Sequence, residues 1–164
     1  MKYRYSFCAY VVAFIVQSTL LHDVSFFGVA PNLILILTIV FSFLFNEKHG
    51  IIFGVIFGLL SDLSFSEVIG ISALCYFLIA LSIEGLKKFI YRDNVISVIF
   101  ISAFGTLLYN ILYWGISGVF GGNIDFVYML FKQPVSIVYN SILVLPIYWF
   151  LVRKVIRYRG FKYM

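Results

Sequence analysis

Long apolar stretches, separated by short clusters of charged residues, proline and glycine, dominate the pattern of this chain. They divide it into six candidate spans, at residues 5–21, 26–45, 50–65, 68–86, 95–120 and 134–152. A hydrocarbon core of about 30 Å needs about 20 apolar residues per helix, so 164 residues leave room for about six spans in one polytopic domain over residues 1–164. The alternating pattern of a lipid-facing barrel strand is absent from the sequence. The chain is therefore predicted to be an all-α integral membrane protein.

The prolines refine these boundaries. Gly28 and Pro31 predict a break around the entry of the second span, and Pro134 is typical of the first turn of a helix, so it predicts the start of the sixth. Pro146 differs because it lies inside the sixth span, where its missing N–H predicts a kink.

Composition and charge support a membrane location and give an orientation. Hydrophobic residues make up 63% of the chain and charged residues 12%, against about 25% charged in an ordinary soluble domain. Cytoplasmic loops carry an excess of Lys and Arg. Placing the N-terminus in the cytoplasm puts eleven of the twelve Lys and Arg residues on that side, with Lys132 alone outside. Six spans with both termini cytoplasmic are predicted, because an odd number would spoil this partition.

The net charge of +5 does not predict a nucleic-acid partner, because the basic residues lie next to span ends. The tail from Arg153 to Lys162 carries five of them among aromatic residues. Such clusters follow from the topology rule alone, so anchoring is the first interpretation. The alternative is that the tail binds anionic head groups of membrane lipids or a cytoplasmic partner.

A row of glycines marks the third span. Gly50, Gly54 and Gly58 are spaced four residues apart and Asp62 follows at the same interval, so they share one face of a helix. Small residues at this spacing let two membrane helices approach closely. The row predicts packing against another helix of this chain or against a partner's transmembrane helix.

Asp62 allows two interpretations. Counted from Gly50 it lies roughly 18 Å into the membrane, where a carboxylate is costly and usually pairs with a polar group of another span or of a partner. If the span begins near Asn46, Asp62 instead reaches the outer interface beside Ser61 and Ser64. Both interpretations stay open on the sequence.

Other polar residues in the apolar stretches have structural explanations. Asn110 and Asn140 are expected to form hydrogen bonds between spans, and Glu84 is expected to pair with Lys88 one turn later. Cys8 and Cys75 show no metal-binding or disulfide spacing. No catalytic set of side chains converges, so we expect neither an enzyme nor a cofactor or metal site.

Three segments resemble the rod shape-determining protein MreD family, over residues 30 to 76. The family pattern has Pro-Asp or Pro-Asn followed by aliphatic residues, a glycine-rich span ending in Gly-Leu-Leu-x-Asp, and then a glycine with an Ala-Leu-x-Tyr element. The matching segments here begin at Pro31-Asn32, run from Gly50 through Gly58 to Asp62, and continue from Gly70 to Ala73-Leu74-Cys75-Tyr76. Asn32 stands where many members carry aspartate.

The resemblance implies a bacterial inner-membrane subunit of the elongation complex. Its implied partners are the bitopic protein MreC, the actin-like MreB, and the peptidoglycan polymerase and transpeptidase pair. It also implies a fold related to the substrate-binding subunits of energy-coupling-factor transporters. The resulting hypothesis is a non-catalytic scaffold whose glycine-lined groove holds the transmembrane helix of MreC, with Asp62 at the lip of the groove. Pro31 and Asn32 are further candidate residues for partner binding or helix packing.

A second function stays open on the sequence. Six short helices with internal glycines can also enclose a pocket, as in a small-molecule (vitamin-like) binding subunit of a membrane transporter. Trp114 and Trp149 give this alternative little support, because both lie near predicted span ends, where tryptophan belongs to the interface belt.

Overall fold

The computed structural model describes residues 3–19, 29–44, 49–66, 68–90, 95–122 and 125–160, the last stretch with side chains up to Leu151. These residues form six α-helices, one overlapping each predicted span. The helices are α1 (Tyr3–Thr19), α2 (Leu33–Leu44), α3 (His49–Phe65), α4 (Ile71–Leu86), α5 (Val95–Val119) and α6 (Phe126–Gly160). The described part of the chain is all-helical, as the apolar pattern predicts.

Two helices are long and apolar enough to cross a membrane by themselves. They are α5, with 25 residues, and the first 26 residues of α6, Phe126–Leu151. The apolar helices α2, α3 and α4 are shorter, with 12, 17 and 16 residues. At 1.5 Å per residue, α2 is only about 18 Å long. The number of membrane crossings therefore stays a prediction.

The short helix α2 lies at the centre of the bundle and contacts all five other helices. Every residue from Ile34 to Phe43 is buried, whichever way it faces around the helix. A helix that is apolar on all sides is stable only where protein or lipid surrounds it. Here the surrounding material is the rest of the chain, so α2 is the core of the fold.

The second predicted span extended from residue 26, but α2 begins only at Leu33. Residues 26–28 lie outside the described structure, and Val29 to Asn32 are not helical. The reason is local: Pro31 disfavours helical geometry in the residue before it, and Asn32 caps the helix by accepting the N–H of Leu35 at 2.9 Å. Irregular backbone is tolerated at membrane depth only where protein covers it.

The predicted start of the sixth helix at Pro134 was wrong. The helix α6 begins at Phe126 and contains both Pro134 and Pro146. The missed signal was Asp125, whose carboxylate accepts the N–H of Val127 at 3.2 Å and so occupies the N-cap position. Together with α5, this longer α6 forms one of the most extensive helix pairs of the bundle.

Aromatic rings fill the contact between α1 and α3. Tyr10 is fully buried, and its ring lies 5.4 Å from that of Phe57 and 5.6 Å from that of Phe53. Its hydroxyl donates to Thr38 Oγ1 of α2 at 3.2 Å. This one side chain therefore joins three helices.

The opposite end of α2 is held by Lys87, just after α4. Its Nζ lies 3.5 Å from the carbonyl oxygen of Ser42, in the last turn of α2, where a positive charge complements the helix dipole. The same Nζ lies 3.7 Å from the carboxylate of Glu84. The ion pair that the structure shows for Glu84 is thus with Lys87, rather than the predicted Lys88, because Lys87 turns inward and Lys88 is exposed.

The glycine row brings α3 against two helices of the same chain. Gly50 and Gly54 lie on α2, where a Cβ at Gly54 would be 2.9 Å from the side chain of Thr38. Gly58 lies on α4, where a Cβ would be 2.7 Å from Ala73 Cα. The contact at Gly58 is with backbone, so no rotamer change of a neighbour would relieve a larger residue there.

We therefore expect Gly58→Ala to destabilise the protein by about 1–3 kcal/mol, because it overpacks a backbone contact. Gly115→Ala is the matched control, since a Cβ at Gly115 meets nothing within 4 Å. In an open helical position this change stabilises by about 0.5–1 kcal/mol. Thermal unfolding in detergent should give a lower midpoint for Gly58→Ala only. Equal midpoints would contradict the close α3–α4 contact.

Candidate functional site

Five polar side chains from different helices meet at the beginning of α2. We call this group the Asn32 cluster, and it consists of Gln17, Asn32, Tyr76, Thr106 and Asn140. Its members belong to α1, the segment before α2, α4, α5 and α6. Residues far apart in the sequence are therefore joined around one helix end.

Asn32 lies at the centre of this cluster and forms hydrogen bonds through both its backbone and its side chain. Its Oδ1 accepts the N–H of Leu35, and its Nδ2 donates to the hydroxyl of Tyr76 at 2.8 Å. Its own backbone N–H donates to Oδ1 of Asn140 at 3.3 Å. A single residue thus links the cap of α2 to α4 and α6.

Asn140 and Gln17 complete the cluster from two sides. Asn140 donates through Nδ2 to Thr106 Oγ1 at 3.1 Å, which ties α6 to α5. Gln17 Oε1 accepts the N–H of Ile34 at 3.2 Å, so α1 satisfies a second free donor of α2. The first N–H groups of a helix have no partner within it, and leaving them bare in an apolar interior is costly.

Asp62 performs the same task for α4. The carboxylate is fully buried, and its Oδ2 accepts the backbone N–H groups of Gly70 and Ser72, each at 2.9 Å. Its Oδ1 accepts the hydroxyl of Ser66 at 3.3 Å. A negative charge at a helix N-terminus is also favoured by the helix dipole. We call Asp62 with Ser66, Gly70 and Ser72 the Asp62 cap.

Gly70 makes this cap possible. Its φ of +102° lies in the left-handed region, which glycine adopts without the steric cost that other residues incur. This geometry reverses the chain within the few residues between α3 and α4, so that the first N–H groups of α4 face Asp62.

Tyr109 of α5 connects the cap to the cluster. Its hydroxyl lies 3.5 Å from Ser72 Oγ, and its ring stacks on that of Tyr76 with centroids 5.4 Å apart and an angle of 18°. Asp62 and Asn32 do not touch directly, but a chain of contacts through Ser72, Tyr109 and Tyr76 joins them.

The structure separates the site residues suggested by the sequence into two groups. Pro31, Asn32 and Asp62 belong to the helix ends just described. The three glycines form a helix-packing surface, and Thr38, Ser42 and Ala73 of α2 and α4 cover it. This surface is therefore not an open groove, and the hypothesis that MreC's helix lies there needs a correction: α2 and α4 of the same chain occupy the position.

The two predicted interhelical amides are confirmed. Asn140 bonds to Thr106 as described, and Asn110 Nδ2 donates to Gln133 Oε1 at 2.7 Å, between α5 and α6. No role was predicted for Gln17, Thr106 and Tyr109. The available signal was the same for all three: a hydrogen-bonding side chain within an apolar stretch, which must find a partner.

The chemistry of this site is structural. The contacts described use its carboxylate, amides and hydroxyls to satisfy helix ends and neighbouring helices. Among the described residues, no group of three or more His, Cys, Asp or Glu side chains is arranged to hold a metal ion. The arrangement fixes the helices relative to one another.

Comparison with protein families identifies one match along nearly the whole chain. The family model for the rod shape-determining protein MreD matches residues 2–159. Comparisons with curated proteins and with solved structures gave no match. The likeness to energy-coupling-factor transporter subunits therefore stays a prediction.

The cap geometry distinguishes two substitutions of Asp62. Asp62→Ala removes all three hydrogen bonds and leaves the N–H groups of Gly70 and Ser72 without their acceptor, so we expect a loss of about 2 kcal/mol or more. Asp62→Asn keeps one oxygen for those N–H groups and turns its amide toward Ser66 Oγ, so the loss should be clearly smaller. Unfolding midpoints in detergent measure both.

Ser64→Ala is the control for this pair, because the exposed Ser64 hydroxyl only bonds back to the carbonyl of Leu60. Its midpoint should stay at the wild-type value. Equal losses for Asp62→Ala and Asp62→Asn would show that charge at Asp62, rather than the hydrogen bonds, carries the stabilisation.

Proposed function

Because the chain belongs to the MreD family of rod shape-determining proteins, we propose that it is the non-catalytic membrane subunit of the bacterial cell-elongation complex that binds MreC. The family assigns a role in determining rod shape, and the match over residues 2–159 is the observation that carries the proposal. In this role the protein helps to organise or regulate peptidoglycan synthesis without acting on the substrate.

The use of the polar side chains supports a scaffold rather than an enzyme. Asp62, Asn32 and Asn140 each bond to backbone N–H groups of their own chain. Such groups are the natural candidates for binding or proton transfer in a membrane interior. With these bonds in place, their contribution is to rigidity, which a scaffold needs if it is to present a defined surface to partners.

Localisation and topology form part of the same proposal. The chain is a bacterial membrane protein, and we place it in the cytoplasmic membrane with six spans and both termini inside. The distribution of Lys and Arg supports this orientation. The short apolar helices α2, α3 and α4 pack against one another, which is consistent with a single polytopic bundle.

MreC is expected to bind on a lipid-facing side of the bundle, because α2 and α4 cover the glycine row. Large apolar side chains are exposed on several helices, including Val12 of α1, Leu63 of α3, Phe100 of α5 and Ile142 of α6. The transmembrane helix of MreC can pack against one of these sides in the bilayer. MreB and the polymerase and transpeptidase pair would then join the same assembly.

A photo-crosslinking residue placed at each of these four positions tests direct binding to MreC. The four side chains are between 59% and 70% exposed, so the comparison is matched. We expect strong crosslinks from one or two helices, because a single helix covers only part of the surface. Ile36, which is fully buried, is the negative control. No crosslink from any position would contradict a direct MreC contact.

Cell shape tests the function itself. In a rod-shaped bacterium depleted of its own MreD, expression of this chain should restore rods, whereas cells without it should become spherical. Membrane levels of the protein are measured in parallel, so that poor insertion is recognised. Spherical cells with normal protein levels, and with the host's MreC still crosslinked, would contradict the role in shape while leaving the MreC contact intact.

A further inference from the structure

An apolar groove lies between the beginning of α5 and the later part of α6. Its cavity volume is about 340 Å³. We call it the Pro146 groove, and it is lined by Val95, Leu145, Pro146, Tyr148 and Trp149. None of these residues takes part in the helix-end contacts described above.

The groove opens toward the outside of the bundle. Val95 is 47% exposed and Trp149 57%, whereas Tyr148 is 6% exposed and closes the inner side. Pro146 adds its apolar ring to the wall of the groove. An open groove with apolar walls accommodates a flexible hydrocarbon chain, whereas it offers few hydrogen-bonding partners to a compact polar ligand.

Positive charge continues directly from the groove along α6. Arg153 comes four residues after Trp149, which is about 6 Å along the helix axis, and Lys154 and Arg157 follow within the next turn. The sequence between Trp149 and Gly160 contains no acidic residue. An apolar groove beside a basic segment is therefore complementary to a molecule with a hydrocarbon chain and an anionic head.

The other wall of the groove is the beginning of α5. Val95 is the first residue of α5, and the first turn of α5 contains no acidic residue. The beginning of a helix carries a partial positive charge from its free N–H groups. The sequence just before α5 contains both Arg92 and Asp93, so the net positive charge at this end of the groove comes from the basic segment of α6.

We propose that the Pro146 groove binds an anionic phospholipid, with an acyl chain along Leu145, Pro146 and Trp149 and the phosphate at the basic segment that begins at Arg153. This site goes beyond the role in the elongation complex and does not depend on MreC. It also gives the basic tail a specific ligand in addition to its part in orienting the chain.

The first test is native mass spectrometry of the whole protein, purified from bilayers that contain equal amounts of phosphatidylglycerol and phosphatidylethanolamine. The wild type should retain phosphatidylglycerol in preference. Leu145→Trp fills the groove and should abolish the retained lipid. Ile52→Trp is the matched control, because Ile52 is similarly exposed, 42% against 37%, on the first turn of α3. It should retain lipid as the wild type does.

Neutralising the charge separates the two halves of the site. Arg153→Gln together with Lys154→Gln leaves the groove open, so the preference for phosphatidylglycerol should fall by about fivefold per basic residue removed. Lys132→Gln, at the far end of α6, should leave it unchanged. Retention without head-group preference, equal retention by Leu145→Trp and Ile52→Trp, or a polypeptide retained in place of lipid would each overturn the proposal.

Trp149 provides an independent measurement that holds even if Leu145→Trp fails to fold. The chain has two tryptophans, so Trp114→Phe leaves Trp149 as the only one. Phosphatidylglycerol with brominated acyl chains should quench its fluorescence more strongly than brominated phosphatidylethanolamine at the same mole fraction. The Arg153→Gln, Lys154→Gln double variant should remove this difference. Equal quenching by the two lipids in the Trp114→Phe variant with Arg153 and Lys154 unchanged would overturn the proposal.

Discussion

The fold depends on satisfying the beginning of a buried helix. Helix α2 has apolar side chains on every face, so burying it provides the core, but its first N–H groups are then buried as well. Asn32 and Gln17 accept two of these donors, and Tyr76 and Asn140 hold Asn32 in place. Each acceptor comes from a different part of the chain, so the packing of the bundle and the capping of α2 require each other. The Asp62 cap repeats this solution at α4, and Tyr109 joins the two sites.

Much of the fold follows from the sequence, because apolar stretches and charge clusters report directly on helices in a membrane protein. The positions of the six helices and the bonds of Asn110 and Asn140 are examples. The beginnings of helices were harder to predict. Pro134 is a residue type that often begins a helix, but Asp125 is the stronger start signal. The carboxylate of an N-cap residue satisfies a free N–H donor, whereas proline merely lacks one. The second helix is shorter than its apolar stretch because apolar character measures burial, whereas Pro31 and Asn32 determine where helical geometry starts.

The candidate site shows where sequence reasoning stops. The spacing of the glycines indicates close helix packing, but spacing alone does not distinguish a helix of the same chain from that of a partner. Thr38, Ser42 and Ala73 decide this point, and their contact with the glycines depends on tertiary structure. The role of Asp62 could not be decided from the sequence for the same reason. The carboxylate of Asp62 accepts the N–H groups of Gly70 and Ser72, and these are backbone groups that no side-chain pattern reveals.

The bond between Asn32 and Asn140 also has a consequence for biogenesis. The two residues are 108 positions apart, and α6 follows the other five described helices along the chain. Domains made on the ribosome acquire structure from the N-terminus onward. The core helix of this protein is therefore made before α6, and the residue that caps it receives the Asn140 acceptor only after the other described helices have been made. A chain that stops before α6 leaves the backbone N–H of Asn32 without this acceptor.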